Sequence, residues 1–79
     1  MSTAADITAG VWVRSRHHDR WWFVQRARHT PFSESEPRGS GFVQYDASTW
    51  PGSRVTLGGF AVHDEPCRVV TVTPEVAHV

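Results

Sequence analysis

The sequence lacks lysine and asparagine altogether and holds a single cysteine, leucine, isoleucine and methionine among its 79 residues. With Cys67 alone, an internal disulfide and the multi-cysteine zinc ribbons are excluded. No stretch approaches the roughly 20 apolar residues that a membrane-spanning helix needs, and residues 1–10 have neither the basic start nor the apolar run of a signal peptide. We therefore expect a cytoplasmic protein, or one assembled into a virion, that makes no membrane contact.

The missing lysine and asparagine have a codon explanation. Both residues, like isoleucine, use AT-rich codons, so their scarcity indicates a GC-rich genome, such as that of an actinobacterium or one of its phages. All eight basic residues are arginine, and the same codon bias accounts for this. The bias therefore weakens any claim that arginine stands here for its planar, bidentate guanidinium.

The abundant residue types favour β-structure. Valine occurs eleven times, threonine seven times and aromatic residues nine times, and these types pack well on a pleated sheet. The strong helix formers leucine, methionine and lysine are nearly missing. The composition therefore predicts an all-β protein.

Short apolar or alternating segments, separated by turn residues, predict five strands, at 11–16, 20–29, 42–47, 54–63 and 67–73. We expect a small, partly closed five-stranded barrel of the SH3-like or OB-like type, in which an N-terminal hairpin is followed by a long loop at 30–41. Gly58 and Gly59 predict a bulge or a sharp bend in the fourth strand. Residues 1–9 are interpreted as a flexible lead-in and residues 10–79 as a single small β-barrel domain.

Charge is concentrated in one segment although the net charge is zero. Residues 14–29, RSRHHDRWWFVQRARH, carry five arginines against Asp19, whereas the rest of the chain carries three arginines against seven acidic residues. The chain is thus dipolar, which suits a protein with one oriented contact. Dedicated nucleic-acid-binding domains usually have a basic excess, so the zero net charge favours a protein partner over nucleic acid.

The register of the predicted hairpin decides which side chains share a face. A three-residue loop at 17–19 places Arg16 opposite Arg20 and Val13 opposite Phe23, and it sends the clearest apolar set inward. A two-residue loop would regroup the side chains and split the charged patch. With the three-residue loop, the outward side chains form a predicted partner-binding surface, the tryptophan–arginine face, which comprises Trp12, Arg14, Arg16, Arg20, Trp22, Arg26 and Arg28.

Three interpretations of the tryptophan–arginine face stay open. Trp and Arg are enriched among the residues that dominate protein–protein binding. The same residue types bind nucleic acid, because tryptophan stacks on bases and arginine pairs with phosphates. Alternatively, Trp12 and Trp22 form a second packed layer, with arginine side chains stacked across their rings.

Motifs for catalysis are missing from the sequence. Residues 39–41 do not match the Gly-x-Ser-x-Gly nucleophile turn, and neither a Gly-rich phosphate loop nor His-Glu-x-x-His is present. His63 and Cys67 supply two metal ligands across a turn, whereas zinc needs three or four. We therefore predict no enzymatic activity, no cofactor and no metal.

The sequence as a whole predicts a small protein-binding module. Its size and codon bias suit a phage-encoded or phage-like accessory protein, such as an inhibitor of a host factor or of a defence system, or a minor virion component. One alternative is a nucleic-acid-binding small β-barrel that uses the same arginines and tryptophans. Another is a zinc-binding protein that uses the histidines and Cys67. A homo-oligomer is also open, because an exposed edge strand can pair with a second copy.

Overall fold

A computed structural model describes residues 2–15, 20–35 and 40–73. Within these ranges the chain is all-β, as the composition predicts: apart from one short 3-10 helix, Ala4–Asp6, its regular elements are strands. No helix in the described ranges is long and apolar enough to cross a membrane. The strands are β1 (Trp12–Ser15), β2 (Trp22–Pro31), β3 (Gly41–Ser48), β4 (Leu57–Val62) and β5 (Cys67–Val70).

The five strands form one antiparallel sheet in the order β4-β3-β2-β1-β5. The predicted barrel, SH3-like or OB-like, is wrong in this respect, because β4 and β5 remain the two edges and the sheet does not close. The sheet is nevertheless curled. Its edges would lie about 19 Å apart if it were flat, yet residues 63–66, which contain a turn, connect them. From Val62 to Cys67 the chain makes five Cα-to-Cα steps, which span at most about 18 Å when fully extended. The strands must therefore bend towards each other.

Small apolar residues fill the concave side of this curled sheet, which we call the inner face. Val11 directly precedes β1, and Val13 lies in it. Because side chains alternate along each strand, both share the inner face with residues of the other four strands. The buried members of the cluster are Ala4, Ile7, Val11, Val13, Val24, Val43, Ala61 and Cys67. Valine and alanine predominate because the strands of a strongly curled sheet leave little room for larger side chains on the inside.

The N-terminal segment is part of this core, which corrects the predicted boundary at residue 10. Ala4 and Ile7 are buried completely or nearly so. The Ala4 N–H donates to the Glu65 carbonyl (2.9 Å) and the Ala5 N–H to the His63 carbonyl (3.2 Å), so the segment is bound to the β4–β5 turn. Gly10, at φ 93°, then turns the chain into β1, a backbone conformation that costs glycine little.

The bulge or bend predicted at Gly58 and Gly59 is not found there; the irregular position of the sheet lies in β2. The β3–β4 register runs without interruption through Gly58 and Gly59, and the shift occurs in β2, between Val24 and Arg26. Gly59 has a packing role instead, because a Cβ there would enter the ring of Tyr45. A Cβ on Gly58 would meet nothing within 4 Å.

Candidate functional site

The observed hairpin register differs by one residue from the predicted one. Trp12 lies opposite Phe23 and Val13 opposite Trp22, whereas the three-residue loop required Val13 opposite Phe23. Because a shift of one residue moves a side chain to the other side of a sheet, Trp12 and Trp22 lie on opposite faces. The tryptophan–arginine face is therefore split, and its member Arg16 and the loop at 17–19 lie outside the described residues.

Trp12 belongs to a second packed layer on the outer face of the sheet. Its side chain is 5% exposed and meets the Phe23 ring edge-to-face at 5.3 Å between centroids. Trp21 is 8% exposed, with the Arg68 guanidinium carbon 5.3 Å from its ring centroid. The second-layer interpretation, made for Trp12 and Trp22, thus fits Trp12 but not Trp22. Trp21 and Arg68, which were not predicted to take part, supply the stacked arginine of this layer.

Trp22 lies on the inner face and packs, partly buried, against the core cluster. The Arg20 guanidinium carbon is 6.0 Å from its ring centroid, at the outer limit of a cation–π contact. Arg20 itself is exposed. These two predicted site residues therefore stay together, but on the side of the sheet opposite to Trp12.

The remaining predicted arginines divide into two places on the outer face. Arg14 lies opposite Arg68 across β1 and β5, an arrangement of like charges that costs some stability. Arg26 pairs with Asp46 at 3.3 Å, and their side chains are 84% and 40% exposed, so the ion pair contributes little. Arg28 follows on the same face, opposite Gln44.

An exposed row of phenylalanines, which the sequence analysis did not single out, crosses the outer face beside Arg28. Phe32 follows β2, and Phe42 and Phe60 stand on β3 and β4. Their ring centroids lie 5.9 Å apart for Phe32–Phe42 and 5.1 Å apart for Phe42–Phe60, and Phe32 and Phe60 are 62% and 59% exposed. Val62, also exposed, lies opposite Phe42 and extends the apolar surface. We call Phe32, Phe42, Phe60 and Val62 the phenylalanine row.

The surroundings of the phenylalanine row carry both signs of charge. Gln44 stands between Arg28 and Phe60 in the strand register, and Asp46 stands between Arg26 and Gly58. The row is therefore an apolar patch with a mixed polar border. Contiguous exposed apolar patches with polar rims mark interaction sites in soluble proteins.

The loop after β3 covers another part of the outer face and is fixed by Gln25. The Gln25 side-chain amide donates to Ser48 Oγ (2.9 Å) and to the Ser53 carbonyl (2.7 Å), and Ser48 Oγ donates to the Trp50 carbonyl (2.7 Å). Trp50, in this loop, is 58% exposed. Trp50 takes no part in the ring contacts that join Phe32, Phe42 and Phe60.

Two histidines from distant positions meet at the end of the sheet. His29 Nδ1 and His63 Nε2 are 2.8 Å apart, and His29 Nε2 is 2.6 Å from the Ile7 carbonyl oxygen. Only a donor can satisfy that carbonyl, so neutral His29 holds its proton on Nε2 and accepts from the Nε2–H of His63. Nowhere in the described residues do three or more metal-ligating side chains cluster, and His17, His18 and His78 lie outside them.

Cys67 opens β5 as a buried member of the core cluster. Burial raises the pKa of its thiol, and the nearby carboxylates of Glu65 and Asp6 raise it further. A reactive cysteine needs the opposite shift, because the thiolate is the nucleophile and the metal ligand. The environment of Cys67 is therefore that of a packing residue.

Comparisons of this chain with protein-family models, with curated proteins and with solved structures found no match. The functional argument therefore depends on the geometry of the chain itself.

Proposed function

We propose that this protein is a non-enzymatic protein-binding module that contacts its partner through the phenylalanine row and the adjacent Arg28. The observation that carries the proposal is the solvent exposure of Phe32 and Phe60, at 62% and 59%, within a continuous row of ring contacts. Aromatic side chains bury large areas when an interface forms. Aromatic and arginine residues are also the types enriched in protein interfaces.

A protein partner fits this surface better than nucleic acid does. Bases can stack on exposed aromatic rings, and Arg26 and Arg28 could contact phosphates. However, Asp46 lies 3.3 Å from Arg26 on the same face, so part of the cationic charge is already neutralised and a carboxylate would face the phosphates. Nucleic-acid binding through these arginines is kept as the second candidate, with steep salt dependence as its signature.

The biological setting stays as the sequence predicts it. A phage-encoded or phage-like accessory protein, acting in the cytoplasm or within a virion, would use such a surface to occupy a site on a host or structural protein. Of the predicted contact residues, Arg14, Arg26 and Arg28 keep outward positions in which they can contribute. Trp12 is too buried to serve as an anchor.

Photo-crosslinking from single positions tests the proposal. A benzoylphenylalanine replaces Phe32 in one variant and Trp50 in the other, since these aromatics are similarly exposed (62% and 58%) but only Phe32 belongs to the row. Each variant is irradiated in lysate of a GC-rich bacterial host, with and without nuclease. We expect one distinct protein to be crosslinked from position 32 and not from position 50, and to be lost when Phe42→Asp is added.

The other outcomes contradict the proposal in different ways. Crosslinks to nucleic acid that disappear with nuclease favour the second candidate. Equal labelling from positions 32 and 50 shows that the phenylalanine row has no selective partner. Circular dichroism of the Phe42→Asp variant must match the parent, so that lost crosslinking reflects the surface and not unfolding.

A further inference from the structure

We propose that Arg14 and Arg68 form a binding site for a dianionic phosphate group, carried by inorganic phosphate or by a phosphate monoester. The site lies on the outer face where β1 and β5 pair. The phenylalanine row lies on β3 and β4 and after the far end of β2, so the two surfaces are separate. The phosphate site therefore does not depend on the proposed function.

The two arginines stand directly opposite each other. Arg14 pairs with Arg68 in the β1–β5 register, and opposite residues of an antiparallel pair have Cβ atoms about 4.5–5.5 Å apart on the same face. Like charges in these positions repel each other. Two positive charges are thus concentrated at one place on a chain whose net charge is zero.

Nothing in the described part of the chain neutralises this arginine pair. The ion pair found there joins Arg26 to Asp46, and neither Arg14 nor Arg68 donates a hydrogen bond to a described residue. The neighbouring β1–β5 side chains on the same face are those of Trp12 and Val70, which offer no acceptor. The N–H donors of both guanidinium groups are therefore open to an external anion.

Trp21 holds the guanidinium group of Arg68 in place. The Trp21 side chain is 8% exposed, and its ring centroid lies 5.3 Å from the guanidinium carbon. Trp21 directly precedes β2, and β1 separates β2 from β5 in the sheet, so this contact spans the strand that carries Arg14. A guanidinium group stacked on an aromatic ring keeps the N–H groups at its edge free. Less conformational freedom is then lost when an anion binds.

Charge and shape favour a phosphate dianion over other common anions. Each guanidinium group is a planar fork that binds two oxygens of a carboxylate or a phosphate. A carboxylate has two oxygens and one charge, so one fork satisfies it and the second positive charge stays uncompensated. A phosphate monoester has three terminal oxygens and a charge of about −1.5 to −2 at pH 7, so it can bridge both forks. A phosphodiester, as in nucleic acid, has a single charge and compensates only half of the repulsion.

NMR of the arginine side chains in the full-length protein tests the site. The side-chain carbon signals of Arg14 and Arg68 should shift and saturate together when inorganic phosphate or glycerol phosphate is added at constant ionic strength, at a mildly alkaline pH where both are dianions. Dimethyl phosphate and acetate should bind at least about tenfold more weakly. Whichever dianion binds more tightly assigns the natural group to the free ion or to a monoester.

Matched variants separate the site from the general charge of the surface. Arg14→Gln should weaken phosphate binding about tenfold, because it removes one fork and half of the positive charge. Arg28→Gln makes the same change at an exposed position opposite Gln44, so binding should stay within about twofold of the wild type. In chloride buffer, Arg14→Gln should unfold at the same or a higher urea concentration than the wild type, since it removes a repulsion.

Three results would overturn the proposal. Shifts that do not saturate, or that are equal at Arg26 and Arg28, report only general screening of charge. Equal affinity for acetate or dimethyl phosphate shows that the pair does not select a dianion. A lower unfolding midpoint for Arg14→Gln in chloride shows that Arg14 already has a partner within the chain. None of these results affects crosslinking from position 32, so the proposed function is tested separately.

Discussion

The histidine pair at the end of the sheet allows a quantitative prediction. Replacing His29 with alanine removes two hydrogen bonds at once, the one to the Ile7 carbonyl and the one from His63. His63 is buried, so its Nε2–H loses its protein partner. The substitution also removes the hydrogen bond that joins Ile7 of the N-terminal segment to β2.

The expected loss of unfolding free energy is about 2–4 kcal/mol. Each hydrogen bond contributes about 0.5–1.5 kcal/mol, and a stranded buried donor costs about 1–3 kcal/mol; these ranges overlap and are not simply added. A domain of this length has a total stability of about 4–12 kcal/mol. His29→Gln should restore part of the loss, because its amide can donate to Ile7 and its carbonyl can accept from His63.

Urea unfolding followed by tryptophan fluorescence measures the effect. Arg28→Ala, at an exposed position next to His29, serves as the control and should stay within about 0.5 kcal/mol of the wild type. A double-mutant cycle with His63→Ala should give a coupling energy of about 1 kcal/mol or more. The argument is refuted if His29→Ala behaves like the control, or if the coupling energy is close to zero.

Three further predictions concern the core. Ile7→Ala should cost about 2–5 kcal/mol in the same urea assay, and a cost near zero would show that the N-terminal segment is not part of the core. Gly59→Ala should lower the unfolding free energy by about 1–3 kcal/mol, because the added methyl group meets the Tyr45 ring. Gly58→Ala should change it by less than about 1 kcal/mol, and equal losses in the two variants would contradict the packing of Gly59 against Tyr45. Because the pKa of Cys67 is raised in the folded state, its contribution to stability is complete below the unfolded-state value of about 8.5 and is lost as pH rises towards the folded value. Unfolding free energies should therefore fall above that pH in the wild type and fall less in Cys67→Val.

Much of the fold was predictable because composition and local pattern report on it directly. Valine, threonine and aromatic residues outnumber helix formers throughout the chain, and turn residues separate the apolar segments, so strand number and class followed. The lead-in was misjudged since Ala4 and Ile7 show no periodicity of their own. They are buried only because the curled sheet brings the β4–β5 turn next to them.

The candidate site was less accessible to sequence reasoning, for a physical reason that the hairpin illustrates. Residues 11–13 and 21–23 are apolar on both sides of their strands, so two registers that differ by one residue bury similar amounts of apolar surface. Local pattern cannot choose between them, and a one-residue shift exchanges the faces of every side chain in the strand. Packing of Trp12 against Phe23, and of Trp22 against the core, made that choice in the folded protein.

The sequence by itself determined the class of the fold, the number of strands and the presence of a charged, tryptophan-rich segment, since these depend on neighbouring residues alone. Only the tertiary structure decided which arginines face outward, and only it assembled Phe32, Phe42 and Phe60 into one row and joined His29 to His63. Those contacts connect residues up to 34 positions apart. They exist because three strands pair in one particular register, and pairing between distant strands is a property of the whole chain.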